Sequence, residues 1–166
     1  MGDFVGAIGN SPGPTIPEEL DNKVVIRATY ALTEHEAFLF TMALQGIVIQ
    51  MRKENFNLPN LRKVFVLCTK NGEFTFIDND GMGYYMPFII LNLGNWRSGV
   101  WSDLHILAAF IEEFCHHFWS IEDEEIVKRK VIDILNVILK EDITFEKLYG
   151  PKWKLAYPTI YTDDVE

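Results

Sequence analysis

Basic residues are scarce in this chain, and cysteine and histidine more so. Lysine and arginine number 15 against 24 aspartates and glutamates, a formal charge of −9. Such a balance repels phosphate backbones, so no nucleic-acid partner is expected. The basic triplet Lys128-Arg129-Lys130 follows directly on the acidic run Glu122 to Glu125, which offsets its field. The two cysteines, Cys68 and Cys115, form no CxxC pair, and each sits in an apolar stretch. That excludes a disulfide scaffold and predicts two buried, reduced thiols. No stretch reaches the roughly 18 continuous apolar residues of a membrane span. The N-terminus shows no charged start followed by an apolar run, and Gly6 stands where a myristoylation signal wants Ser or Thr. The expected location is therefore cytoplasmic, with no membrane association. No internal repeat or low-complexity tract is present.

Large apolar residues are abundant: 48% of the 166 residues are hydrophobic and 13% aromatic. A chain of this size buries roughly 70% of its unfolded surface, which suits one domain with a real core. Residues 1–22 carry Gly2, Gly6, Gly9 and Gly13 with Pro12, Pro14 and Pro17, and read as a flexible arm. Residues 23–150 read as a single α+β domain. Residues 151–166, with Pro151, Trp153, Tyr157, Pro158 and Tyr161, read as an extended C-terminal tail.

Within the domain, Val24-Val25-Ile26 begins a short strand. Thr33 and Glu36 form a capping box that opens an apolar helix to about Arg52. Lys63 to Cys68 reads as a strand, Asn71-Gly72 as a hairpin turn, and Glu73 to Ile77 as its alternating partner. Asp78-Asn79-Asp80-Gly81 is a turn without calcium-loop spacing. Tyr84 to Leu91 is a third strand, and Asn92 to Gly99 a loop. Three strands in succession favour a small antiparallel or mixed sheet, packed against the helices. Ser102 or Asp103 caps a helix running to about Trp119. Ser120 to Asp123 reads as a second capping box, opening a helix to about Lys140. Thr144 to Gly150 forms a last helical turn.

The helix ending at Trp119 carries the chemistry. Leu104, Leu107, Ile111, Phe114 and Phe118 fall on one face, and His105, Glu112 and His116 on the opposite one. Glu113 and His117 form a second stripe. Each Glu–His pair is spaced i, i+4, so both side chains can reach one ion. In His-Glu-x-x-His, two histidines at this spacing hold zinc and the Glu activates the bound water. Here the string is Glu112-Glu113-Phe114-Cys115-His116, with Glu in the first ligand position. Solvation and helix-dipole effects account for these residues one at a time: a polar outer face, and acids at the next helix's start.

The order helix, strands, motif helix resembles the zincin metallopeptidases, in particular the small ImmA/IrrE-like domains of phages and mobile elements. Pro87 to Asn92 is similar to their edge strand, and Ile106 to Trp119 to their active helix. The resemblance implies a zincin-like fold with zinc as cofactor. It implies Glu112 and His116 as metal ligands, Glu113 as the catalytic base, and a third ligand six residues past His116, which is Glu122. Trp119 stands where the family has a glycine. A shifted frame offers Glu113, His117 and Asp123 as ligands, with Phe114 in the base position. Two functions follow as expectations. One is a zinc-dependent peptidase-like hydrolase acting on a peptide or protein substrate. The other is a non-catalytic, degenerate zincin-like module binding a protein partner, with Trp96, Trp101, Trp119 and Trp153 as aromatic anchors.

Overall fold

The computed structural model describes residues 3–77, 85–99 and 101–150. The chain forms β1 (Asp3–Phe4), β2 (Val24–Ala28), α1 (Glu34–Lys53), β3 (Val64–Thr69), β4 (Phe76–Ile77) and β5 (Phe88–Asn92). Four helices follow: α2 (Leu93–Ser98), α3 (Asp103–Trp119), α4 (Glu124–Leu139) and α5 (Phe145–Tyr149). The class is α+β. The tail over 151–166 and the 78–81 turn lie outside the described residues.

The main sheet has the order β2-β3-β5 and is parallel throughout. The antiparallel or mixed sheet expected from three successive strands is thus corrected. The reason is the 20-residue helix α1 between β2 and β3. A crossover of that length returns the chain to the same end of the sheet, which makes the strands parallel. With β2 on one side and β5 on the other, β3 has no free edge. The expected hairpin at Asn71-Gly72 therefore does not form. Gly72 does turn, at φ +84, with its N–H donating to Thr69 Oγ1 at 2.8 Å. The chain then leaves, and β4 pairs antiparallel with β1 instead.

One face of the parallel sheet is covered by helices and the other only in part, with Ile90 of β5 left exposed. Val24, Ala28, Val64, Val66, Cys68, Ile89 and Leu91 join one core with Leu39, Phe40, Leu44 and Ile47 of α1 and Leu107, Phe110, Ile111 and Phe114 of α3. Phe40 and Phe110 stack with centroids 4.1 Å apart, locking α1 to α3. A Cβ on Gly46 would collide with Ile138, so α1 and α4 approach as closely as a glycine allows. On the other face, Phe4 of β1 touches Phe65 and Phe88 at 6.3 and 6.0 Å, and Phe74 at 6.1 Å. Residues 3–22 run along the domain as extended chain, tied by Ile8 N–H to Ala28 O (2.8 Å) and Thr15 N–H to Thr41 Oγ1 (2.9 Å). A single 3-10 turn at Glu18–Leu20 buries Leu20.

The capping box of α1 is present as read: Thr33 accepts from Glu36 N–H, and the Glu36 carboxylate accepts from Thr33 N–H at 2.7 Å. Two boundaries differ. The 92–99 loop is mostly helix: Asn92 caps α2 by accepting from Asn95 N–H, and Gly94 fits against the Lys70 carbonyl where no Cβ has room. The Ser120 capping box is also absent. Ser120 closes α3 in the left-handed region at φ 52, and Asp123 caps α4, accepting from Ile126 N–H at 2.9 Å. Ser120 at φ 52 cannot hold the extended backbone of an N-cap.

Candidate functional site

Helix α3 faces the core with Leu107, Ile111, Phe114, Cys115 and Phe118, all buried. Glu112 and His116 lie one turn apart on the other side, half-buried. The short 120–123 connection folds α4 back against α3. This brings Glu124, in the first turn of α4, up to both of them. Ligand atoms of Glu112, His116 and Glu124 all lie within 4.8 Å of one another, the one such set among the described residues.

The histidine is oriented. His116 Nδ1 donates to the Ile121 carbonyl at 2.7 Å, which leaves Nε2 as its free nitrogen, 3.6 Å from Glu124 Oε1. A ring held by a carbonyl through one nitrogen is the arrangement metal-bound histidines show. The set of one imidazole and two carboxylates is also chemically suited to a divalent ion.

Lys128 changes this picture. Its side chain is 1% exposed, and its Nζ donates to Glu124 Oε2 at 2.8 Å and to Glu112 Oε1 at 3.1 Å. Tyr149 of α5 closes over it, ring centroid 5.4 Å from the ammonium. Burial pushes the Lys128 pKa down, but the hydrogen bonds and charges of Glu124 and Glu112 outweigh it, and the net shift is upward. The ammonium therefore stays charged, and both carboxylates already have a cation. A divalent ion about 4 Å from that ammonium would meet a repulsion of about 8 kcal/mol at an effective dielectric of about 20. That removes on the order of five to six powers of ten from its affinity. With Lys128 in place, the residues do not fit a zinc ion.

The other sequence-derived site residues are placed as follows. Glu113 is exposed beside the cluster. Desolvation of its carboxyl is the largest influence and raises its pKa, with Glu112 and Glu124 adding to the rise and His116 opposing it. Glu122 is exposed and lines a cleft with His116, His117 and Arg62 rather than joining Glu112 and His116. The shifted frame is not assembled: His117 Nε2 donates to the Arg62 carbonyl at 3.2 Å, while Asp123 serves as the α4 cap.

Sequence reasoning expected one acid of the Glu122 to Glu125 run to reach Glu112 and His116 but assigned the ligand to Glu122 and not Glu124, and it missed Lys128. The signal was available: Lys128 is i+4 from Glu124 and sits in the apolar stripe of α4, next to Val127 and ahead of Val131. A lysine on a buried face needs an anion, which pointed to Glu112 across the helix pair.

The cysteines are free and fully buried, Cys68 with its pKa pushed by burial up to about 12 and Cys115 pushed higher still. Neither is a nucleophile in this state. Of the tryptophans, Trp96 is buried, edge-on to Phe40, and Trp119 donates to Glu54 at 2.6 Å. Trp101, 38% exposed, stacks on Trp96 at 5.9 Å. Trp153 lies outside the described residues. Among those residues no helix is long and apolar enough to cross a membrane. No family model, curated protein or solved structure matches this chain.

Proposed function

We propose that this domain is a non-catalytic, degenerate zincin-like module that acts by binding a protein partner. The observation that carries the proposal is the buried ammonium of Lys128 between Glu112 and Glu124. A built-in cation takes the position a metal would need, and it cannot polarise a carbonyl or lower the pKa of a water as zinc does. Glu113 then has no activated water to serve. The outer face of α1 gives the binding reading further support, because Phe38 and Ile49 stand 58% and 46% exposed there.

Calorimetric titration with zinc tests the proposal. Wild type should show no saturable heat and no rise in melting temperature. Lys128→Met keeps the apolar stem and removes the charge, so it should take up zinc and melt higher with it than without. Saturable zinc uptake by wild type, abolished by His116→Ala, would overturn the proposal. That result would favour a zinc-dependent peptidase-like hydrolase, which the convergence of Glu112, His116 and Glu124 supports.

A further inference from the structure

A different part of the molecule carries an inference that does not depend on whether the Lys128 cluster takes a metal. Beyond the C-terminal end of α3 lie two adjoining hollows of about 240 and 400 Å³, both lined by Arg62, His117 and Ser120. The smaller one is also lined by Asn57 and Asn60 and floored by Phe56, Leu61 and Phe118. No carboxylate lines it, in a chain whose formal charge is −9. Glu122 lines only the larger hollow.

The polar side chains of the residues that line the smaller hollow are exposed or half-buried and largely unspent within the chain. Among the described residues the Arg62 guanidinium makes no hydrogen bond or ion pair, although its own carbonyl holds His117. The Ser120 hydroxyl and the side-chain amides of Asn57 and Asn60 are likewise unengaged. His117 spends Nε2 on the Arg62 carbonyl, leaving Nδ1 unused. Ser120 is held in the left-handed region, a conformation that costs a non-glycine residue of order 1 kcal/mol.

Unpaired donors around an apolar floor, with no acid among them, select an anionic group attached to a small apolar body. We propose that this hollow binds the carboxylate or phosphate of an organic anion, with Arg62 as the charged contact and Asn57, Asn60 and Ser120 as neutral donors. The apolar part of the ligand would lie on Phe56 and Phe118. Such an anion has two sources: a free phosphorylated small molecule, or the terminal carboxylate of a peptide.

Two defined probes separate these sources: phenyl phosphate and N-acetylphenylalanine, with the amide of the latter as a neutral control. Imidazole resonances of the histidines would be followed by NMR in phosphate-free buffer. The His117 resonances should shift saturably with at least one of the two anions at concentrations up to about 10 mM, and not with the amide. Arg62→Gln should weaken that binding by about 10-fold or more, while Arg27→Gln, on a different face, should leave it unchanged. Arg62 makes no side-chain contact that folding depends on, so the variant should melt as wild type does. A stronger response to phenyl phosphate marks a phosphorylated small molecule, and a stronger response to N-acetylphenylalanine marks a peptide terminus. Absence of a saturable His117 shift with both anions, or equal affinity in Arg62→Gln, would overturn the proposal.

Discussion

Two charge clusters, each built around one buried side chain, tie this fold together, and they are built differently. At the sheet end, Arg97 of α2 grips the Glu36 carboxylate with two donors at 2.8 and 2.6 Å. It also donates to the Ala31 carbonyl at 2.7 Å and lies over the Tyr30 ring. One cation meets one anion, and the Glu36 carboxylate also accepts from the Thr33 N–H. At the helix-pair end, Lys128 faces two carboxylates with His116 alongside. That cluster keeps an excess negative charge when His116 is neutral, and it opens to solvent through Glu112 and Glu124. The first is a closed electrostatic unit of the kind that fixes a geometry. The second has the surplus charge and the orientation of a site, with a lysine seated in it.

The exposure of the anion left behind should govern what each cation is worth. Glu36 is 8% exposed at the side chain, against 21% and 41% for Glu112 and Glu124. Arg97→Met should therefore lower unfolding free energy by about 3–5 kcal/mol, as an uncompensated buried charge does. Adding Glu36→Gln should recover part of that loss, measured by chemical denaturation. A loss from Arg97→Met smaller than that from Lys128→Met would break the comparison.

Lys128→Met comes second, at about 1–3 kcal/mol, because water can reach the two carboxylates it abandons. Adding Glu112→Gln should return much of it in a double-mutant cycle, whereas a cycle pairing Lys128→Met with Arg97→Met should be additive.

The pH dependence separates the clusters more gently. Burial raises the Glu36 pKa, but the hydrogen bonds from Arg97 and Thr33 more than reverse that, so its folded value lies below the ordinary carboxyl value. A depressed pKa contributes stability above the unfolded value, and the contribution is lost as pH falls through the folded one. The stability gap between wild type and Glu36→Gln should thus be full at neutral pH and close in acid. A gap that persisted below the carboxyl range would show that Glu36 acts through shape and not charge.

The smallest effect concerns Glu113. Its folded pKa is raised, so ionisation works against folding, and the penalty grows as pH rises through the folded value. Glu113→Gln should raise the melting temperature slightly at neutral pH, by an effect under about 0.5 kcal/mol because the residue is exposed. The gain should vanish in acid, where the wild-type carboxyl is protonated too. Destabilisation at neutral pH would mean that Glu113 is a working member of the cluster.

Much of the helical layer was legible residue by residue. Thr33 with Glu36 announced α1, and Ser102 or Asp103 announced α3, of which the structure uses Ser102, because a cap is a contact within four residues. The i, i+4 spacing put Glu112 and His116 on one face before any fold was known. The sheet was less legible. Strand alternation cannot say which strand lies beside which, and the Asn71-Gly72 turn suggested a hairpin that the parallel neighbours of β3 forbid. Short α2 was hidden because its stabilising contacts come from Arg97 reaching Glu36 and from Gly94 fitting the Lys70 carbonyl.

What the sequence by itself determined is what local chemistry decides: the α+β class, the capping box of α1, the start of α3 to within one residue, the apolar face of α3, and the shared direction of Glu112 and His116. What only the tertiary structure decided is which acid meets them. Glu122, Asp123, Glu124 and Glu125 are equivalent in composition, and the left-handed Ser120 with the Asp123 cap sets the phase of α4. That phase turns Glu124 and Lys128 inward, one turn apart, and leaves Glu122 at the cleft. A rotation of about 100° per residue separates neighbours on a helix, so a start displaced by two positions would have presented different side chains to Glu112.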